Sequence, residues 1–332
     1  MTEAFGSGVA TAIEQYMGQP AAEHHLLARL RPDIDPSELH RAGNRTYVHG
    51  RGELIQRWLW ERRGEYDLIH AHSSWAGLLA RTLRPVAAPL IYSPHAPATM
   101  HGRPSIRMAA NVVERLLSPG TRCFAAVSTA EAAALMRLAG PRTVIVVPHH
   151  VEFHHQVAPR DRREEVVVAA GRLSHQKNPE SVAALPSARM FPKSSRFVWI
   201  GDGDSRRRHL LEAHGWEVTG WLSRSQTVDL VARAAVLLHP ARYEGMPFVI
   251  LEALAAGTPV IAARASYLEG LPIAASFDRP AYDLPAALRD LLADETRWHQ
   301  ASRKGIDFVE HRYTREAQGE ALSRIYRLAI KG

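Results

Sequence analysis

A single cysteine, Cys123, stands among 332 residues. No intrachain disulfide can form, which excludes a cross-linked secreted scaffold and makes a cytoplasmic setting the simplest expectation. No apolar run approaches the roughly 20 residues needed to span a bilayer, and no secretory signal is visible in the first residues. A complete Gly-x-Gly-x-x-Gly fingerprint is also missing. Gly6 and Gly8 are followed by Thr11 where the third glycine would stand, which counts against a nicotinamide enzyme. Metal-ligand spacing is absent too. His70 and His72 alternate on one strand and face the same side, but no third ligand follows at a recognisable spacing, so no metal is expected. The net charge of +7 comes without a basic tail or a recognised nucleic-acid module. That leaves a solvated basic surface, or one that meets an anionic membrane or a phosphorylated acceptor.

Apolar content of 46% and charged content of 23% are ordinary for a globular protein, and the length suits about two domains. Short β-type runs alternate with helical patterns. The first series is Asp67–His72, Pro89–Ser93, Cys123–Ser128 and Thr143–Pro148; the second is Val166–Gly171, Arg196–Gly201, Val236–Pro240 and Pro259–Ala263. Near-continuous apolar strands separated by helices predict parallel sheets covered on both faces. Two doubly wound domains would turn their strand C-termini toward a shared cleft, where ligands bind. The charged, apolar-poor stretch Ala158–Glu165 reads as the interdomain linker. A helix is expected over Val9–Met17, so the strand that should precede it has only Met1–Ala4: either it is very short or the chain starts late.

The most informative segment is Glu244-Gly-Met-Pro-Phe-Val-Ile-Leu-Glu252. Pro247 suits a first helical turn, Ala253–Ala256 continue the helix, and Gly257 can end it. Glu244 would lie just ahead of the helix N-terminus. Glu252, inside the helix, would tilt back toward that end. Free N–H groups, a positive dipole end and two carboxylates are the parts needed to hold a phosphorylated sugar. Arg172 and Lys177 emerge from a strand-to-helix loop, and two such cations suit a diphosphate, although solvated surface cations would read the same way. Gly201 and Gly203 follow another strand, where they serve either close backbone approach to a ligand or a plain turn. His95 sits just past a strand C-terminus and is a site candidate by position.

Other segments stay open between two readings. Arg103–Leu117 has helical spacing, with Ile106, Ala109, Ala110, Val113, Leu116 and Leu117 as an apolar stripe flanked by Arg103, Arg107 and Arg115. It is either a core-packing helix with a solvated face or a basic face offered to an acceptor or to lipid headgroups. Trp58 and Trp60 do not share a helix face, so at least one is expected in the core. His149–His150 and His154–His155 read as loop residues near the domain junction.

Taken together, Gly171-Arg-Leu-Ser-His-Gln-Lys-Asn-Pro179, Ile200–Gly203, Val218–Trp221 and His239–Glu244 running on to Glu252 resemble the family 4 retaining glycosyltransferases of the GT-B fold, over about residues 165–263. Gly6–Gly8, His70–Ser73, Tyr92–His95, Val127–Ser128 and Val146–Pro148 extend the likeness more loosely to the first half. The resemblance implies an α/β fold of two Rossmann-like domains. Residues 1–152 would form the acceptor side and take back a crossover helix near 314–332; residues 153–313 would bind the nucleotide-sugar donor. It also implies roles. Arg172 and Lys177 would bind and stabilise the departing diphosphate, helped by N–H groups near Gly245, Met246 and Phe248, beside Pro247. Glu244 would hold donor-sugar hydroxyls and Glu252 the ribose. Gly8, with Gly201 and Gly203, would let backbone approach the donor. Gly220, Trp221 and Leu222 would lie against the base, and His95 near the transferred sugar. No metal or other cofactor is implied.

The sequence departs from the family at His149-His-Val-Glu152, where Asn-Gly-Val-Asp is usual, and at Arg264–Pro272, which replaces a glycine-rich segment. The expected function is retaining, metal-independent transfer of a sugar to a glycan, lipid-linked or small-molecule acceptor. The work would be cytoplasmic, or peripheral at the inner face of a membrane. The alternatives are a catalytically silent binding subunit, a sugar phosphorylase or a nucleotide-sugar epimerase.

Overall fold

A computed structural model describes residues 1–5, 7–30, 46–48, 57, 59–62, 64–82, 88–96, 103–140, 142–152, 160, 163–187, 191 and 194–331. The chain divides into two units. One comprises Met1–His150, Glu244–Met246 and Arg315–Gly332; the other comprises Val151–Tyr243 and Pro247–Thr314.

In the first unit the described strands are β1 (Thr2–Phe5), β2 (Leu26–Leu30), β3 (Thr46–Val48), β4 (Ile69–His72), β5 (Leu90–Ser93), β6 (Cys123–Ala126) and β7 (Thr143–Val146). They form one parallel sheet in the order β3-β2-β1-β4-β5-β6-β7. The strand order reverses between β1 and β4, where Thr2 pairs with His72. Helices α1 (Ser7–Met17), α2 (Ser74–Thr82), α3 (Pro104–Leu117) and α4 (Thr129–Ala139), with the C-terminal helix Arg315–Lys331, cover the sheet. One layer of core packs Ala71, Tyr92, Phe124 and Leu135. Another packs Tyr16, Ile91 and Ala125 against Leu322, Ile325 and Tyr326 of the C-terminal helix. β5 and β6 are buried at every position, and apolar except for Ser93, because both faces of the sheet are covered.

The second unit repeats the plan with β8 (Glu164–Ala170), β9 (Arg196–Ile200), β10 (Glu217–Val218), β11 (Ala234–His239), β12 (Val260–Ala263) and β13 (Ala275–Phe277). The order is β10-β9-β8-β11-β12-β13, again parallel, with the switch between β8 and β11. Helices α5 (Ser205–Ala213), α6 (Arg224–Arg233), α7 (Phe248–Ala255), α8 (Leu284–Ala293) and α9 (Glu295–Glu310) flank it. Trp199, Trp216 and Trp298 are buried in its core. Each indole N–H is satisfied by a carbonyl, of Gly171, Ala183 and Ala235 respectively, at 2.7–3.0 Å.

Three expectations need correction. The stretch Ala158–Glu165 is not a plain linker. Residues 158, 159, 161 and 162 lie outside the described set, but Glu164 and Glu165 open β8. Arg163 is buried and donates to the carbonyls of Ala232, Ala234 and Ala256 and to Thr258 Oγ1. Its charge made the segment look solvated, whereas four acceptors make burial tolerable.

The core-packing reading of Arg103–Leu117 is also overturned. α3 turns most of its hydrocarbon outward: Ile106, Ala109, Val113 and Leu116 of the expected stripe are exposed, with Met108 and Val112 beside them, while Ala110 and Leu117 are half-buried. The inward group is Glu114. Arg81 Nη1 and Nη2 reach its two oxygens at 2.6 and 3.2 Å, and Tyr92 Oη donates to Oε1 at 3.2 Å. A buried, bidentate ion pair fixes which face turns in, and apolar periodicity alone does not encode that choice.

Trp60 is exposed, and Trp58 lies outside the described residues, as do His154, His155 and Gly6. Finally, Pro247 is the N-cap of α7 rather than part of its first turn.

Candidate active site

In the second unit the chemistry gathers at the switch between β8 and β11, where the strand order opens a space beyond the strand ends. β8 runs into Gly171, and Arg172 and Lys177 follow on its loop, both half-buried. That loop is tied to the segment after β11. Arg242 N donates to Gln176 O at 2.8 Å, Gln176 Nε2 to Tyr243 O at 3.0 Å, and Arg242 Nη2 to Asn178 Oδ1 at 2.6 Å. The two cations therefore ride on a loop that is tied on either side of Lys177, at Gln176 and Asn178, to the segment after β11. Buried His239 closes β11; burial, then the charge of Lys177, hold its pKa well below the ordinary imidazole value.

The glycines explain the tightness of this corner. Gly201 has φ +127°, and a Cβ there would lie 2.5 Å from Gly171 O. Gly203 has φ +152°, and its Cβ would lie 2.7 Å from Leu173 O. The chain's own backbone fills the space that side chains would need. Gly201 N also donates to Gly220 O at 3.0 Å, which brings the Gly220–Trp221 turn to the same corner. The Arg172 guanidinium carbon sits 5.2 Å from the Trp221 ring centre, so a cation and a half-exposed indole form one platform. Leu222 follows, half-buried.

α7 contributes Phe248 and Glu252. Glu252 is buried, and burial raises its pKa while Arg224 pulls it down. Arg224 Nε donates to Glu252 Oε1 at 3.1 Å and stacks 5.5 Å from the Phe248 ring. Arg224 opens α6, behind a capping box formed by Ser223 and Gln226.

In the first unit the switch lies between β1 and β4, with Gly8 exposed in the first turn of α1. His95 follows β5 in a turn of positive φ, 52° at His95 and 74° at Ala96. That turn is clamped by Glu131, which is fully buried and accepts from Ala96 N at 3.0 Å and Val127 N at 2.7 Å. Burial pushes the Glu131 carboxyl up to about 7. His95 Nε2 meets His72 Nδ1 at 2.9 Å, the His70 and His72 rings lie 4.1 Å apart, and His70 Nε2 bonds Ser93 Oγ at 2.8 Å. Burial holds all three imidazoles neutral, with His95 down at about 4. Gly245 packs on the same turn: a Cβ there would lie 2.7 Å from Ala96 N and 3.1 Å from Val127 Cγ2. Met246 is buried beside it in sequence, and Glu244 is half-buried.

The sequence reading missed Glu131 and Arg224, and weighed His72 only as a metal ligand. A signal existed for the first two. Ser128-x-x-Glu131 and Ser223-x-x-Gln226 are helix-start patterns, and each sets a functional-looking residue at a loop edge. Among the described residues no group of three or more His, Cys, Asp or Glu is arranged to hold a metal ion.

Residues 164–294 match the family described as Glycosyl transferases group 1, and residues 9–150 match the Glycosyl transferase 4-like domain. The chain is 32% identical to a D-inositol 3-phosphate glycosyltransferase of Corynebacterium glutamicum, over 80% of this chain and 73% of that protein. It is 25% identical to the UDP-Gal:α-D-GlcNAc-diphosphoundecaprenol α-1,3-galactosyltransferase of Escherichia coli, over 66% of this chain but only 63% of that protein. It spans 42% of a Mycobacterium tuberculosis glycogen synthase that it also matches. In fold it is similar to the Anabaena protein HepE solved with UDP-glucose, at a TM-score of 0.78 and 18% identity, covering 98% of both chains. It is similar also to sucrose-phosphate synthase of Thermosynechococcus elongatus, at 0.73 and 20%, covering 96% and 91%. The fold is GT-B. The chain belongs to the group 1 glycosyltransferases, of the family 4 type.

Proposed function

We propose that the protein transfers a sugar from a nucleoside diphosphate sugar to an acceptor, with retention of anomeric configuration and without a divalent metal. The observation that carries this is the β8–β11 corner, where Arg172 and Lys177 are held on a doubly tied loop beside the Trp221 platform. Family membership and the UDP-glucose bound by HepE support a nucleotide sugar as donor.

Breaking a glycosyl–diphosphate bond builds negative charge on the leaving group and oxocarbenium character on the sugar. In this reading Arg172, Lys177 and the N–H groups around Gly245, Met246 and Phe248 stabilise that charge more in the transition state than in the ground state. Trp221, with Gly220 and Leu222, stacks on the base. Glu252 accepts from the ribose and Glu244 from the donor sugar. His95, kept neutral, offers a hydrogen bond to the transferred sugar. Cations placed on the leaving group take the role a metal plays elsewhere. The acceptor is a glycan or lipid-linked sugar, reached from the cytoplasmic side, with peripheral membrane contact through the basic surface of the first unit.

The test is a thermal-shift panel of uridine, guanosine and thymidine diphosphate sugars, followed by turnover with and without EDTA. Lys177→Ala should cost about 10²–10³ in rate, EDTA should cost nothing, and the product should keep the donor's anomeric configuration by NMR. No shift with any nucleotide would end the proposal.

A further inference from the structure

α3 presents an exposed apolar face. At 100° per residue, Ile106, Met108, Ala109, Val112, Val113 and Leu116 occupy an arc of about 160°. Every one of them faces solvent. Met108 is 69% exposed and Leu116 74%. The helix is thus inverted. Its carboxylate, Glu114, is buried against Arg81, and its hydrocarbon points out. Monomeric soluble proteins rarely display so continuous an apolar face.

The charges around that face have one sign. Arg115 borders the arc and is exposed, as are the N-cap Arg103 and, on the opposite side of the helix, Arg107; α4, which packs against α3, adds exposed Met136 and Arg137. The only acids on the two helices, Glu114 and Glu131, are both buried. An occupant must therefore offer hydrocarbon in the centre and negative charge at the rim. A second copy of this chain cannot do so. Joining two such faces would set arginines against arginines with no exposed carboxylate on either helix to separate them. A bilayer leaflet with anionic headgroups supplies both, with side chains in the acyl boundary and guanidinium groups at the phosphates.

We infer that α3 lies in the surface of an anionic membrane, inserting Met108, Val112 and Leu116 while Arg115, at the edge of the arc, contacts lipid phosphates. This deepens the peripheral-contact part of the reading above by naming the element and its mode of insertion. It holds or fails independently of sugar transfer.

The experiment is co-sedimentation of the full chain with phosphatidylcholine vesicles, with and without phosphatidylglycerol. Binding is expected only where phosphatidylglycerol is present, and should weaken at high salt. The Met108→Asp/Leu116→Asp variant should bind on the order of tenfold more weakly or worse. Arg115→Gln should cost about fivefold, and Arg107→Gln, on the opposite side of the helix, much less. All these side chains are exposed, so circular dichroism and the nucleotide thermal shift should match the parent and certify the fold. Three results would overturn the inference: no binding to phosphatidylglycerol vesicles, equal binding by the aspartate variant, or a lipid-free dimer in sedimentation velocity that the same variant dissociates.

Discussion

Replacing His95 with glutamine should flatten the acid sensitivity of the first unit by a calculable amount. His95 titrates near 4 in the folded protein because burial disfavours its charged form, against about 6.5 in an unfolded chain. The unfolded state then holds the extra proton, so stability is whole above about pH 6.5 and is lost as pH falls toward 4. At about pH 5 the unfolded imidazole is almost fully protonated and the folded one is not. The linkage integral over that interval gives about 2 kcal/mol from this residue alone. Glu131 works in the opposite direction. Its folded value of about 7 lies above its ordinary 4.5, so the folded state holds the extra proton and gains as pH falls between the two. The parent profile is therefore a difference between opposing terms, and only a comparison of variants isolates one of them. The assay is amide hydrogen exchange of Ile69–His72 and Leu90–Ser93, corrected for intrinsic rates, at about pH 7.5 and pH 5. His95→Gln should lose about 2 kcal/mol less than the parent on acidification, and Glu131→Gln should lose more than the parent. If parent and His95→Gln show equal losses, the neutral-imidazole argument is refuted.

Two further outcomes follow from the packing. Glu114→Ala strands the Arg81 guanidinium, whose side chain is 0% exposed. The first unit should lose about 3–5 kcal/mol, a calorimetric midpoint drop on the order of 10 °C, and Arg81→Met/Glu114→Leu should recover most of it. Gly201→Ala drives a Cβ to 2.5 Å from Gly171 O, so the loop bearing Arg172 and Lys177 must move. Nucleotide affinity by calorimetry should fall at least about tenfold. Gly140→Ala, also at positive φ but with nothing within 4 Å of the added carbon, should leave affinity unchanged.

How much of this was legible in the sequence depended on whether the signal was local. Val166-Val-Val-Ala-Ala could only be a strand buried on both faces, and the structure has it at the centre of the second sheet. The edge strands Thr46–Val48, Glu217–Val218 and Ala275–Phe277 left no such mark, because two or three residues are too few to show a period. Gly201 and Gly203 were visible as glycines, but their reason was not. What they approach is the carbonyl of a loop thirty residues earlier.

The sequence by itself determined the class: alternating apolar strands and helices, a helix start flanked by Glu244 and Glu252, and a loop with two cations after a strand. These are short-range patterns whose physics is complete within a few residues. The tertiary structure alone decided which face of α3 turned inward, that Arg224 holds Glu252, that Glu131 clamps the His95 turn, and that three histidines share one partly buried file. Each of those is a pairing between residues distant in sequence. Burial there makes a partner obligatory, while the chain itself does not say which partner it will be.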